Sequence, residues 1–168
     1  MPGRNTNHTY FRIILTEPIS QHSKPSTMQY RLLGRSGLKV STITLGTMTF
    51  GGVERFAKVG NTDVNAARSI IDLCIEHGVN LIDTANIYSA GVSEEMIGTI
   101  LDGKRPGNVL IASKARMPLG TGGPNDEGFS RYHLIRECEK SLKRLKTDTI
   151  DIYYMHVWDG LFPLEEML

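Results

Sequence analysis

From Gln29 onward the chain switches repeatedly between two hydrophobic periods. Apolar runs with alternating character, VNLID (79–83), NVLIASK (108–114) and TIDIYYMH (149–156), predict extended strands, and ITLGTM (43–48) predicts a fourth. Between them, apolar residues recur at three- and four-residue spacing, which predicts amphipathic helices. The first helix opens near Thr62 as N-cap and runs to His77 with Gly78 as its stop, placing Val64, Ala67, Ile71, Cys74 and Ile75 on one face. The second takes Ser93 as N-cap, carries Glu94 and Glu95 where the backbone dipole favours anions, and stops at Gly103. Its core face is Met96, Ile97, Ile100 and Leu101. The third starts at Ser130 and is expected to bury Ile135, Cys138, Leu142 and Leu145, with Arg136, Glu139, Lys140 and Lys143 outside. Pro163 opens a further helix, and QYRLLGRSGLKVS at 29–41 reads as a β-hairpin turning at 34–37.

Strands alternating with helices about every 30 residues mark parallel βαβ units, so the fold class is α/β. An open doubly wound sheet and a closed eight-stranded barrel share this signature. In both, ligands bind at the C-terminal ends of the strands. The pattern does not choose between them.

Those strand ends carry the chemistry. By alternation, Val79, Leu81 and Asp83 share a face, as do Leu110, Ala112 and Lys114, and Ile152, Tyr154 and His156. Three strands in succession therefore finish an apolar row with one ionisable residue. A buried Asp or Lys alone would cost several kcal/mol, whereas a pair offsets much of that desolvation. Tyr88, in the loop past Asp83, is close enough in sequence to fold back over the ends. A phenol is a weak acid, but a neighbouring ammonium favours its ionised form and makes it a better proton donor. Such a group can protonate a carbonyl oxygen as hydride arrives at the carbon. Asp83 would hold Lys114 charged and oriented, and His156 would position the carbonyl or share in the proton transfer.

Composition narrows the partners. The chain has 168 residues, 22% of them charged, with a formal net charge of +1, and no basic cluster is denser than Lys140 to Lys146. That excludes a nucleic-acid footprint. No apolar run approaches the ~20 residues of a membrane helix, so a cytoplasmic location is expected, with no membrane partner. Cys74 and Cys138 fall on helix stripes and read as free thiols, with no metal site. Gly98 to Lys104 resembles a phosphate-binding loop, but Arg105 replaces the required Ser or Thr and a helix end replaces the strand–helix junction. Residues 1–27 are polar and patternless and read as a disordered extension, with Met28 as the expected functional start and 28–168 as one domain.

LGRSGLKVS, LGTMTFG, Asp83-Thr84-Ala85 followed by Ile87-Tyr88, Ser113-Lys114 and DIYYMH occur in one order. Together they resemble the aldo-keto reductases from about Gln29 to Leu168. The resemblance implies a parallel (β/α)8 TIM-type barrel, of which this chain holds the first four strands and about three and a half helices behind an N-terminal β-hairpin. It implies reduction of a small aldehyde or ketone with NADP(H), by a tetrad of Asp83, Tyr88, Lys114 and His156 in which Tyr88 is the general acid. Gly46, Thr47 and Met48, with Asp83, would meet the nicotinamide end of the cofactor. Phe50, Trp158 and Phe162 are aromatic candidates for a substrate pocket.

Such a barrel takes around 250 residues, and the loops that grip phosphates and adenosine in that family follow its last strands. The 168 residues alone are thus expected to be weakly active or inactive. Two alternatives stand beside this reading. Lys114 could be the Schiff-base lysine of a lyase. A non-catalytic half-barrel could instead self-associate through the free edges of its first and fourth strands.

Overall fold

Four strands pair in parallel and in chain order, because a helical segment between successive strands returns the chain to the same end of the sheet. The computed structural model describes residues 27–102, 104–120, 122–158, 160–161 and 163–167. All but the last residue of the expected 1–27 extension, the expected stop at Gly103, and Phe162 lie outside the described residues. A hairpin of β1 (Tyr30–Leu32) and β2 (Lys39–Ser41) comes first. The sheet then consists of β3 (Leu45–Gly46), β4 (Leu81–Asp83), β5 (Leu110–Ala115) and β6 (Ile152–Met155). The helices are α1 (Val64–Glu76), α2 (Val92–Leu101), α3 (Arg131–Leu145) and the short α4 (Leu164–Met167).

Register sets the site. Gly46 pairs with Asp83, Asp83 with Ala112, and Lys114 with Tyr154, so the shared faces expected from alternation are the observed ones. The hairpin is fastened at the opposite end: the Tyr30 hydroxyl donates to the Gly78 carbonyl at 2.8 Å, and Asn80 accepts from the Ser41 amide at 2.7 Å. The core lies between sheet and helices, where Ile82 and Ile111 meet Ala67, Ile71, Ile97 and Ile100. Each fully buried aliphatic there contributes roughly 1.5–3 kcal/mol. The other sheet face is open, with Tyr154 38% exposed.

Three local expectations are corrected. The N-cap of α1 is Asp63 rather than Thr62: its carboxylate accepts from the amides of Asn65 and Ala66, both at 2.9 Å. Thr62 instead gives its carbonyl to the amide of Gly51. Ser93 does not cap α2; Gly91 stands there at φ 97°, and Ser93 is already in the first turn with its hydroxyl turned toward Thr47. The buried face of α3 is His133, Leu134, Glu137, Ser141 and Leu145, while Ile135 is 53% exposed. The reason is a close, polar helix contact. A Cβ at Gly98 would lie 2.3 Å from the Arg144 carbonyl oxygen, and the interface carries the Glu94–Arg144 ion pair beside the aliphatic Leu145.

Candidate active site

Lys114 leaves the end of β5 and its ammonium finds three acceptors: Asp83 Oδ2 at 2.8 Å, the Thr84 carbonyl at 2.7 Å and the Tyr88 hydroxyl at 3.2 Å. All three protons of the ammonium have a destination. The pair with Asp83 is partly shielded, at 14% and 27% side-chain exposure, which strengthens it over a surface ion pair.

Tyr88 reaches this point because the chain reverses sharply behind it. Ser89 and Ala90 both occupy the left-handed region, at φ 50° and 54°. Such positions cost about 1–3 kcal/mol each unless the surroundings impose them. Here they do: the buried Ser89 hydroxyl donates to the Phe50 carbonyl and accepts from the Gly52 amide, each at 2.9 Å. Gly52 itself has φ 110°, and a Cβ there would sit 1.7 Å from the Gly60 carbonyl oxygen, so only glycine fits. The loop after β3 therefore holds the turn that carries Tyr88.

The ring of Tyr88 stands edge-on to His156, with centroids 6.1 Å apart at 84°, and against Phe56 at 6.0 Å. His156 lies just past β6, followed by Val157 at φ 69°, a strained conformation for a β-branched residue. Burial, and then the charge of Lys114, push the imidazole of His156 below its usual value, so it is neutral at pH 7. Its Nδ1 is buried without a hydrogen-bond partner among the described residues. A cavity of about 400 Å³ opens beside the cluster, lined in part by Leu81, Asp83, Lys114, Tyr154 and His156.

The structure thus brings Asp83, Tyr88, Lys114 and His156 together. Gly46 lies across from Asp83, with nothing within 4 Å of where a Cβ would stand, and Met48 nearby is 45% exposed. Thr47 is fully buried; its amide and hydroxyl both donate to the Asp83 carbonyl, at 3.0 and 3.1 Å. Phe50 is not a pocket residue: it is 1% exposed and packs in the hydrophobic core. Trp158 is 58% exposed and stacks on Phe129 at 6.5 Å, a rim position. Of the neighbouring tyrosines, Tyr153 faces the helices and donates to the Leu134 carbonyl, and burial pushes its phenol well above the usual range.

Sequence reasoning missed two buried features. Glu94 is fully buried, accepting from Ser113 at 2.5 Å and Arg144 at 2.7 Å. Its three-residue spacing from Ile97, on the core stripe, was the available signal. The Thr84 carbonyl that binds Lys114 has no side-chain signature at all.

The sequence model of the aldo/keto reductase family matches residues 42–168, and the chain belongs to that family. Among curated relatives, a probable voltage-gated potassium channel subunit beta of Arabidopsis thaliana is 42% identical over 142 residues, covering 83% of this chain and 40% of that protein. An oxidoreductase of Bacillus subtilis is 41% identical over 149 residues, covering 83% and 43%. Among solved structures, the holo form of a Bacillus halodurans aldo-keto reductase superposes with a TM-score of 0.68 at 34% identity, covering 83% of this chain and 44% of its own. The chain spans about two fifths of the length of these relatives.

Proposed function

We propose that this site reduces the carbonyl group of a small aldehyde or ketone with NADPH, and that Tyr88 delivers the proton. The observation that carries the reading is the Lys114 ammonium shared between Asp83, the Thr84 carbonyl and the Tyr88 hydroxyl. As negative charge grows on the substrate oxygen, the Tyr88 hydroxyl donates its proton there. The phenolate left behind faces an ammonium already in place, so little reorganisation is needed. Asp83 keeps that ammonium charged and fixed. The neutral His156 imidazole packs edge-on to the Tyr88 ring and itself lines the cavity.

The residues present fit the nicotinamide end of the cofactor. Backbone free of a side chain at Gly46, next to the exposed Met48, offers a flat surface, and the cavity is roomy enough for a ring and a small carbonyl compound. When bound, the reduced nicotinamide supplies the hydride, so that C=O gains one hydride at carbon and one proton at oxygen. Gly46, Met48 and Asp83 would hold that end, while the fully buried Thr47 fixes the Asp83 carbonyl from behind. Phosphate and adenosine contacts, and a closed (β/α)8 barrel, belong to the proposed whole protein.

A Schiff-base role for Lys114 is disfavoured, because an amine engaged with a carboxylate and two further acceptors is not the free nucleophile that chemistry requires. A second reading rests on the plant relatives named as potassium channel β subunits. It adds a voltage-gated channel as partner and leaves the site in place. Currents of such a channel, co-expressed with the native protein and unchanged by it, would remove that reading. The reductase reading is tested by NADPH consumption in the native protein with a panel of aldehydes and ketones; consumption that tracks added carbonyl supports it, and none with any member refutes it.

A further inference from the structure

Thr47, Thr84 and Ser93 come from three different elements, yet all three side chains are fully buried and their hydroxyls meet. Ser93 Oγ lies 2.9 Å from the Thr47 carbonyl, 3.0 Å from Thr47 Oγ1 and 3.2 Å from Thr84 Oγ1. Each hydroxyl has one proton, and one assignment satisfies the group. Thr84 donates to Ser93, Ser93 donates to the Thr47 carbonyl, and Thr47 donates to the Asp83 carbonyl at 3.1 Å. A buried hydroxyl left without a partner costs about 1–3 kcal/mol, so this order is strongly held.

The consequence falls on the peptide that follows β4. The Asp83 carbonyl is gripped by two donors of Thr47, and the Thr84 amide donates to the Ala112 carbonyl at 2.9 Å. With the Thr84 side chain fixed by Ser93, its own carbonyl is left aimed at Lys114 Nζ, 2.7 Å away. An ammonium has three protons in fixed tetrahedral directions. Once Asp83 and the Thr84 carbonyl take two, the third has one direction left, and the Tyr88 oxygen, 3.2 Å away, is the acceptor that remains for it.

We infer that Ser93 is a positioning residue: through Thr84 it aims the backbone carbonyl that orients the Lys114 ammonium toward Tyr88. The term positioning rests on the reductase reading; the hydroxyl relay and its hold on Lys114 do not. Ser93 also sits in the first turn of α2, which continues directly from the Tyr88 turn, so one hydroxyl ties both partners of the proton-donating pair to the same place.

The test reads Lys114 itself. In protein labelled with nitrogen-15 lysine, exchange of the Lys114 ammonium protons with water is measured by NMR, without cofactor or substrate. Ser93→Ala and Thr84→Val should each speed exchange about tenfold, the equivalent of about 1.4 kcal/mol for one lost hydrogen bond. Thr84→Ser should restore the slow rate. Ser41→Ala, at a buried serine of the hairpin at the opposite end of the sheet, should leave it unchanged. Wild-type exchange in folded Ser93→Ala overturns the inference, and so does equal acceleration in Ser41→Ala, which would mean general loosening. Accelerated exchange confined to the relay variants supports it even if the native protein reduces no carbonyl, in which case the reductase reading fails separately.

Discussion

Glu94, in the first turn of α2, and Arg144, in the last turn of α3, form an ion pair at 2.7 Å whose carboxylate is fully buried. It braces the site from behind. Glu94 also takes the hydroxyl of Ser113, next to Lys114, and the Arg144 side chain packs under Gly91 at the end of the Tyr88 turn.

Removing one partner strands a buried charge. Arg144→Met should therefore destabilise the fold by about 3–5 kcal/mol in denaturant unfolding, with Glu94→Leu on top of it recovering much of the loss. Breaking the Arg136–Asp126 pair, with both side chains over a third exposed, should leave the unfolding midpoint essentially where it was. Equal effects at the two sites would contradict the bracing role.

The contrast between two aromatic residues gives a second expectation. Phe50→Ala opens a hole in the core and should cost about 3–5 kcal/mol, while Trp158→Ala at the rim should cost little. A stability near wild type for Phe50→Ala would return Phe50 to the pocket.

His133 and His156 both have imidazoles held below the ordinary value of 6.5, first by burial. In the unfolded chain each binds a proton more readily than in the folded one. Stability is therefore fully present above about pH 6.5 and is lost as the pH falls from there through the folded values. Unfolding free energy measured from pH 7.5 downward should decline below about pH 6.5, and His133→Gln with His156→Gln should flatten that decline. A slope unchanged by the double substitution would refute it.

Cofactor affinity follows from what surrounds the cavity. Lys114 is the one cation among the described lining residues, and its protons are already committed. Fluorescence titration of the 168 residues with NADPH should show no saturation in the micromolar range. Micromolar binding would show that these 168 residues hold the phosphates by themselves.

The sheet was legible in the sequence because period-two alternation fixes which residues share a face, and the ends of β4, β5 and β6 followed from it. With the helical returns that make the strands parallel, it brought Asp83, Lys114 and His156 to one end of the sheet. Helix α3 was misread because its buried face carries the polar His133, Glu137 and Ser141 beside Leu134 and Leu145, and Glu137 there accepts from the Asn86 amide at 2.8 Å. Hydrophobic periodicity cannot register a face of that kind. Phe50 read as an aromatic for the substrate pocket, but the Ser89 hydroxyl holds its carbonyl and the Gly52 amide while its ring packs in the core. The Thr84 carbonyl was invisible because backbone acceptors leave no mark on residue type.

The central claim concerns the proton on Tyr88. Turnover of NADPH with a reducible carbonyl compound, compared between the native protein and its Tyr88→Phe form, tests it most directly. The phenylalanine form should bind NADPH as before and keep the fold, because the ring contacts with Phe56 and His156 remain, while turnover falls roughly 10²–10⁴-fold. Undiminished turnover in the folded variant would contradict the account.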